Sequence, residues 1–427
     1  MTTQPLARRL GQGDAILIGL GSMIGAGIFA AFSPAAQAAG SGMLIGLAIA
    51  AVVAFCNATA SAQLAAVYPT SGGTYAYGRE RLGPWWGFIA GWSFVIGKTA
   101  SCAAMALTFA AYAAPDGWAH AVAVAAVVAL TVVNLLGITR TAAVTRVVVV
   151  IALVSLAVVV AAGSTRLPDL AGVLGAASGD DTLAGGLLAS GLHGVLQSAG
   201  LLFFAFAGYA RIATLGEEVI DPARTIPRAI VAALAITVAV YLVVAVAVLA
   251  TLGAAGVAAS SAPLSDTVSA AGWDWAVPVV RIGAAAAALG ALLGLIAGIG
   301  RTSLAMAREG DLPRWLAAVH PRFRVPHRAE ALLAVAVCAL VLTSDLRGAI
   351  AFSSFGVLLY YVIANVAAFT QPPADRRYPR GLQVLGAVAC VALMATLPLA
   401  GIVGGVIVVA VGVGYRVIRL ARSARPS

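Results

Sequence analysis

Charge is scarce in this chain, and one kind is almost missing. Only 10% of its 427 residues are Asp, Glu, Lys or Arg, against 61% hydrophobic, with a mean hydropathy of +0.99. Soluble domains carry about 25% charged residues, so a globular cytosolic core is excluded. Of the 26 basic residues all but Lys98 are arginine. Cysteine is equally sparse. Cys56, Cys102, Cys338 and Cys390 stand alone inside apolar runs, a spacing that suits neither a zinc site nor a disulfide framework. They read as small hydrophobes, and no metal or other cofactor is expected. None of the 16 carboxylates falls at the centre of an apolar run. No HExxH pair or intramembrane carboxylate dyad suggests a membrane enzyme. The first 13 residues are too short and polar for a signal peptide, so the first run is expected to be retained.

What is present is a succession of apolar runs, about twelve of them at roughly 20 residues per bilayer crossing. They lie near 14–39, 42–67, 85–112, 119–137, 144–163, 190–215, 229–253, 276–306, 329–344, 347–369, 382–398 and 400–420. The fold class is therefore all-α, a polytopic membrane protein embedded in a lipid bilayer. Alternating the runs from a cytoplasmic N-terminus places twenty-one arginines inside and three (Arg166, Arg281, Arg347) outside. The positive-inside rule selects that orientation, with both termini cytoplasmic and the cytoplasmic membrane as location. The net charge of +10 is spread by this pattern, which argues against a nucleic-acid partner. Trp85, Trp86, Trp118, Trp273, Trp275 and Trp315 fall at run edges, as an interfacial belt requires. The organisation expected is a short N-terminus 1–13, a core 14–369 of ten helices, two further helices in 370–421, and a tail 422–427. The loop near 164–189 is rich in Gly, Ser and Asp; 307–328 is basic and punctuated by proline.

The first run is interrupted. It reads DAILIGLGSMIGAGIFAAFSPAAQAAG from Asp14 to Gly40, with Gly19, Gly21, Gly25 and Gly27 at its centre. Each glycine costs a helix about 1 kcal/mol against alanine, and broken helices at membrane depth persist only where the freed backbone is buried in protein or lines a cavity. Close helix packing through small residues is the competing reading. The sixth run repeats the peculiarity: Gly208 follows FFAFA, then come Tyr209 and the charged Arg211. Interrupted helices at corresponding places in two halves point to a transporter site. Runs 1–5 and 6–10 would be inverted halves, with 11 and 12 appended.

Three strings carry a family resemblance: GSMIGAGIF in run one, FFAFAGYARIATLGEEVIDPARTIPRAI from run six, and PTSGGTYAYGRERLGPWWGF after run two. They resemble the amino acid–polyamine–organocation (APC) family of permeases over most of the chain. The resemblance implies a LeuT-type 5+5 inverted-repeat fold with helices 1 and 6 broken, and transport of amino acids. It also puts both breaks at the substrate pocket. There the half-helix after the first break would point its N–H groups and positive dipole end at the carboxylate. Gly25, Ala26 and Gly27 would offer those groups, small side chains permitting close approach. The carbonyls of Met23, Ile24, Phe204 and Ala207, beside Gly208, would accept from the ammonium. In relatives an aromatic at the second break closes over substrate; Phe204 aligns with that gate, among Phe203, Phe206 and Tyr209.

Lys98 lies near the middle of run three, where a charge costs at least ~2.5–3.5 kcal/mol. In the related arginine/agmatine exchanger the matching position holds a substrate-contacting polar residue, so the resemblance puts Lys98 at the pocket. Three roles compete with a structural lysine bound to backbone carbonyls: a titrating proton carrier, a fixed cation standing in for sodium, and a counter-ion for an acidic substrate. Many proton-coupled relatives place a lysine in run five, where this chain has Ala152. Ala210 fills the place of an acid in the cationic exchanger. With no intramembrane acid, neutral substrates are expected, acidic ones second, with a proton as the coupling partner. Arg211 and Glu218, seven residues apart on one helix face, are expected either to form an inner gate with Arg79 or Arg81, or to cap a helix end. Asn57, Gln63, Asn134 and Gln197 read as interhelical hydrogen bonds. GWSFVIGKT imitates a phosphate-binding loop but is one residue too long and lies inside an apolar run. The function expected is secondary transport of amino acids by alternating access. An exchanger, an acidic amino acid permease and a transporter-like sensor are the alternatives.

Overall fold

The structure is a computed structural model that describes residues 10–25, 27–69, 72–137, 142–166, 188–216 and 218–423. All twelve apolar runs are helical. The elements are α1 Gln12–Met23, α2 Gly27–Ala39, α3 Met43–Val67, α4 Gly73–Leu82, α5 Pro84–Ala113, α6 Ala119–Leu135, α7 Ala142–Ser164 and α8 Gly191–Phe206. There follow α9 Ala210–Ala213, α10 Pro222–Ala259, α11 Pro263–Ala270, α12 Val277–Arg308, α13 His327–Thr343, α14 Leu346–Phe369, α15 Arg380–Thr396 and α16 Leu399–Ser423. No strand forms among the described residues; one isolated bridge pairs Leu10 with Val219. By length and composition eight segments can cross a membrane: α2 with α3, α5, α7, α8 with α9, α10, 274–308, α14 and α16. The helices α6 and α15 are apolar but shorter.

Local chemistry explains where the elements begin. Gly83 adopts φ +99° after α4, and Pro84 opens α5 at the position where a missing N–H costs nothing. Asp345 caps α14, its carboxylate accepting from the Gly348 N–H at 2.7 Å. The helix expected from 229 starts instead at Pro222 and takes in Pro227. Pro222 occupies the first turn. Pro227 lies inside the helix and has no N–H for the Ala223 carbonyl; a guanidinium N–H of Arg377 takes that carbonyl at 2.8 Å. A partner distant in sequence thus extends a helix past a proline. The short helices α4 and α11 have no apolar run and were not anticipated.

Helix α5 packs between α12 and α14. It crosses α14 backbone to backbone, where a Cβ on Gly356 would lie 2.8 Å from the Gly97 Cα. The four amides expected between helices are there. Asn365 Nδ2 donates to Asn57 Oδ1 at 2.6 Å, and Gln63 Nε2 to Gln371 Oε1 at 2.7 Å. Asn134 Nδ2 reaches the Leu293 carbonyl at 3.3 Å and Gln197 Nε2 the Thr396 carbonyl at 2.9 Å.

One end of the bundle is held by a buried carboxylate. Asp311, in the turn after α12, accepts from the Tyr75 hydroxyl at 2.9 Å and pairs with Arg79 of α4 at 3.0 Å and with Arg416 of α16. Arg416 lies over the Trp85 and Phe88 rings, 5.0 and 4.7 Å from their centroids. Burial, with the Asp311 charge adjacent, holds the Tyr75 hydroxyl well above the usual phenol range. Asp311→Ala leaves two guanidinium groups without their shared anion and is expected to cost about 3–5 kcal/mol. Glu309→Ala removes an exposed partner of Arg79 and should cost under about 1 kcal/mol. Thermal unfolding of detergent-purified protein checks both; equal losses reject Asp311 as the organising charge.

Candidate functional site

Both interruptions exist, and the fold sets them side by side. Helix α1 ends at Met23, Ile24 and Gly25 form a turn, and α2 begins at Gly27. Ala26 lies outside the described residues. The second interruption is milder than full unwinding: α8 ends at Phe206, Ala207–Tyr209 form one 3-10 turn, and α9 adds a single helical turn. The two broken elements run antiparallel in contact. Gly19 packs on Ile212, Gly208 on the backbone of Ser22 and Met23, and Gly27 on Ala205. A Cβ on Gly27 would lie 2.5 Å from the Ala205 Cα, and one on Gly208 would lie 2.6 Å from the Met23 N while colliding with the Ser22 carbonyl. These glycines let two backbones touch. Gly25 turns instead toward α12, where its Cβ would meet Ala291 at 2.8 Å.

The carbonyls freed by the breaks have protein donors. The Tyr241 hydroxyl, from α10, lies 2.5 Å from the Met23 carbonyl and 3.1 Å from the Ala205 carbonyl, so one O–H serves both broken helices. Lys98 Nζ, from α5, donates to the Ala207 carbonyl at 3.3 Å. The Phe204 carbonyl accepts from the Ala207 N–H. Three of the four carbonyls expected to receive an ammonium are therefore already bonded. Lys98 is 7% exposed, and the Ala207 carbonyl is its single acceptor among the described residues, for a head with three donors.

Tyr241 was missed by sequence reasoning. Its signal was a lone tyrosine within the Ala/Val run AITVAVYLVVAVAV. A buried phenol needs a partner, but nothing local says which carbonyl it meets.

Of the four aromatics at the second break, Phe203, Phe206 and Tyr209 are fully enclosed while Phe204 keeps 7% of its surface. Phe203 packs edge-on against Tyr361 at 5.8 Å, Tyr209 against Tyr361 at 5.3 Å and Phe206 against Tyr241 at 5.1 Å. The inner-gate residues are not brought together. Arg211 Nη1 lies 3.5 Å from the Thr214 hydroxyl, and no ion pair joins Arg211 to Glu218 among the described residues. Arg79 is committed to Asp311 and Glu309, and Arg81 to the Thr370 carbonyl. Glu217 lies outside the described residues. The Glu218 carbonyl holds the Leu10 N–H at 3.0 Å, tying the chain before α1 to the turn after α9.

A family model described as amino acid permease matches residues 14–419. An uncharacterized transporter of Mycobacterium tuberculosis is 58% identical over 422 residues, covering 98% of this chain and 93% of the relative. Chloroplastic cationic amino acid transporter 7 of Arabidopsis thaliana is 28% identical, over 86% of this chain and 66% of the relative. A branched-chain amino acid permease of Bacillus subtilis is 26% identical, over 89% and 84%.

Gly208→Ala and Gly27→Ala are each expected to lower stability by about 1–3 kcal/mol, the range for overpacking. Gly298→Ala, whose Cβ meets nothing within 4 Å, should not. Tyr241→Phe strands two buried carbonyls and should cost about 1–3 kcal/mol. Thermal unfolding in detergent reads all four; a Tyr241→Phe protein as stable as wild type rejects the bridging role.

Proposed function

This chain belongs to the amino acid permease family, and on that premise we propose that it is a secondary transporter of neutral amino acids, driven by protons and working by alternating access. Its twelve helical runs form ten core spans within 14–369, arranged as a LeuT-type 5+5 inverted repeat, with two more in 370–421. The arginine distribution favours cytoplasmic termini (1–13 and 422–427) in the cytoplasmic membrane. The observation that carries the reading is the contact between the two broken helices, with Lys98 Nζ on the Ala207 carbonyl beside it.

In this reading the N-terminal end of α2, at Gly25, Ala26 and Gly27, receives the substrate carboxylate. The substrate ammonium is a donor of the same kind as Lys98 Nζ and the Tyr241 hydroxyl. It binds by replacing them at the carbonyls of Met23 and Ala207, with those of Ile24 and Phe204 close by. Phe204, the least enclosed of the aromatics, closes over the substrate next to Gly208. Lys98 carries the coupling proton: when protonated it holds Ala207 with a charged donor, and on losing the proton it holds that carbonyl only weakly, so the substrate ammonium displaces it. The gate role of Arg211 and Glu218 then belongs to a conformation other than the one described.

Substrate charge follows from what surrounds Lys98. No carboxylate pairs with it among the described residues, which disfavours cationic substrates despite the name of the Arabidopsis relative. The printed name of the Bacillus relative agrees with a neutral side chain. The two Lys98 donors left without a protein acceptor favour an acidic side chain as the second reading.

Purified protein in liposomes is expected to take up leucine, with neutral competitors inhibiting and arginine not, at two pH values with and without sodium. Flux for no amino acid, with binding retained, rejects transport in favour of sensing; counter-flow without net uptake makes it an exchanger. Lys98→Ala is expected to abolish the pH dependence of uptake. A wild-type rate and pH profile in that variant rejects the proton-carrier role.

A further inference from the structure

A cavity of about 330 Å³ opens where α6 ends and α13 begins, away from the broken helices. It is lined by Val132 of α6 and Leu136 just after it, His320 and Phe323 of the basic loop, and His327 and Ala331 of α13. Its polar end is built. The Phe323 N–H donates to His320 Nδ1 at 3.2 Å, and the His320 ring lies 5.0 Å from Phe323 and edge-on to His327 at 5.5 Å. Gly137, at φ +72°, fits against the Phe323 carbonyl. His327 Nδ1 is buried without a hydrogen-bond partner among the described residues.

The rim is cationic. The Arg322 guanidinium lies over the Phe323 ring, 5.4 Å from its centroid. Arg328 gives an N–H to the Trp315 carbonyl at 3.4 Å and keeps its other donors. No carboxylate pairs with Arg322, Arg324 or Arg328 among the described residues. Glu330, the carboxylate nearest in sequence, packs on Gly300 of α12 instead.

From this rim the cavity runs into an apolar face. Val128 and Val132 of α6 and Leu136 at its C-terminal cap succeed one another at four-residue spacing, and about half of each residue is exposed. Leu332 and Val335 expose the neighbouring face of α13. A hydrocarbon-lined groove that ends in arginines, an unpartnered imidazole nitrogen and an exposed interfacial tryptophan, Trp315, matches an amphiphile with an anionic head. We propose that this groove binds one anionic phospholipid. Its phosphate sits between His327, Arg322 and Arg328, and an acyl chain lies along Val128, Val132 and Leu136. The proposal rests on the membrane placement of the chain and not on its substrate.

The test is native mass spectrometry of the full chain, purified in detergent and offered phosphatidylglycerol or phosphatidylcholine with the same acyl chains. Wild type is expected to retain one phosphatidylglycerol with about 25-fold preference, roughly fivefold for each of Arg322 and Arg328. The double variant Arg322→Gln/Arg328→Gln should show almost none of that preference. Leu136→Trp, which fills the groove and leaves the arginines, should lose the lipid as well. Arg281→Gln, distant from the groove, should behave as wild type. Equal retention of both lipids by wild type overturns the proposal, as does an undiminished preference in both groove variants. Inorganic phosphate that displaces phosphatidylglycerol at millimolar concentration also overturns it, by making the site one for a free anion. Leucine uptake in phosphatidylcholine liposomes reads the transport proposal separately. Its absence, with lipid preference intact, counts against transport and not against this groove.

Discussion

The freed carbonyls at the two helix breaks govern the rest of this architecture. In an apolar surrounding each unsatisfied backbone group costs several kcal/mol, so an interrupted helix persists only if other elements supply donors. Here α10 supplies the Tyr241 hydroxyl and α5 supplies Lys98 Nζ. The positions of α5 and α10 therefore follow from the breaks. Tyr241 spans the Met23 and Ala205 carbonyls, so displacing either broken helix disturbs the hydrogen bonding of the other. Gly27 and Gly208 add a steric version of the same coupling, because each fits only while the facing backbone keeps its place.

The two ends of the bundle are tied with different chemistry. At one end Asp311 joins α4, α12 and α16 through charged partners, with the Arg416 guanidinium stacked on two aromatic rings. At the other, Arg347 of α14 donates to the side-chain oxygens of Gln37 on α2 at 3.3 Å and Gln197 on α8 at 3.0 Å. Gln37 in turn holds the Ala258 carbonyl of α10 at 2.9 Å. A guanidinium facing neutral amides gains less than one facing a buried carboxylate. The Arg347 contacts are thus the cheaper of the two sets to break, and the elements they join include the α2 and α8 arms of both broken helices.

What could be read in the sequence was whatever leaves a local mark. Each of the twelve apolar runs proved helical, and clustered glycines marked the first break near Gly25. The lone lysine stood out at the middle of its run, and the structure sets it on the Ala207 carbonyl at the second break. Pairings between distant residues left no such mark. Arg377 completing the helix around Pro227, Arg79 choosing Asp311 over Glu218, and Tyr241 reaching Met23 all depend on three-dimensional proximity. The expected gate contact is absent from the described conformation for that reason: helical spacing put Arg211 and Glu218 on one face, but the helix after the second break lasts only from Ala210 to Ala213. The face on which the expectation depended does not extend to Glu218.

On the proposed proton-carrier role, Lys98 would link substrate choice to coupling. Two like charges about 5 Å apart repel by about 3 kcal/mol at an effective dielectric near 20. A protonated Lys98 facing the substrate would therefore oppose a cationic side chain, tolerate a neutral one and attract an anionic one. Deprotonated, the same site would lose that discrimination and hold the Ala207 carbonyl only through the weaker N–H donors of a neutral amine, which a substrate ammonium could replace. No second intramembrane lysine and no carboxylate at the breaks is present to offset either change. On that reading, whichever protonation state admits substrate would also set which side-chain charge is admitted, and substrate class could not change at this position without changing what drives transport.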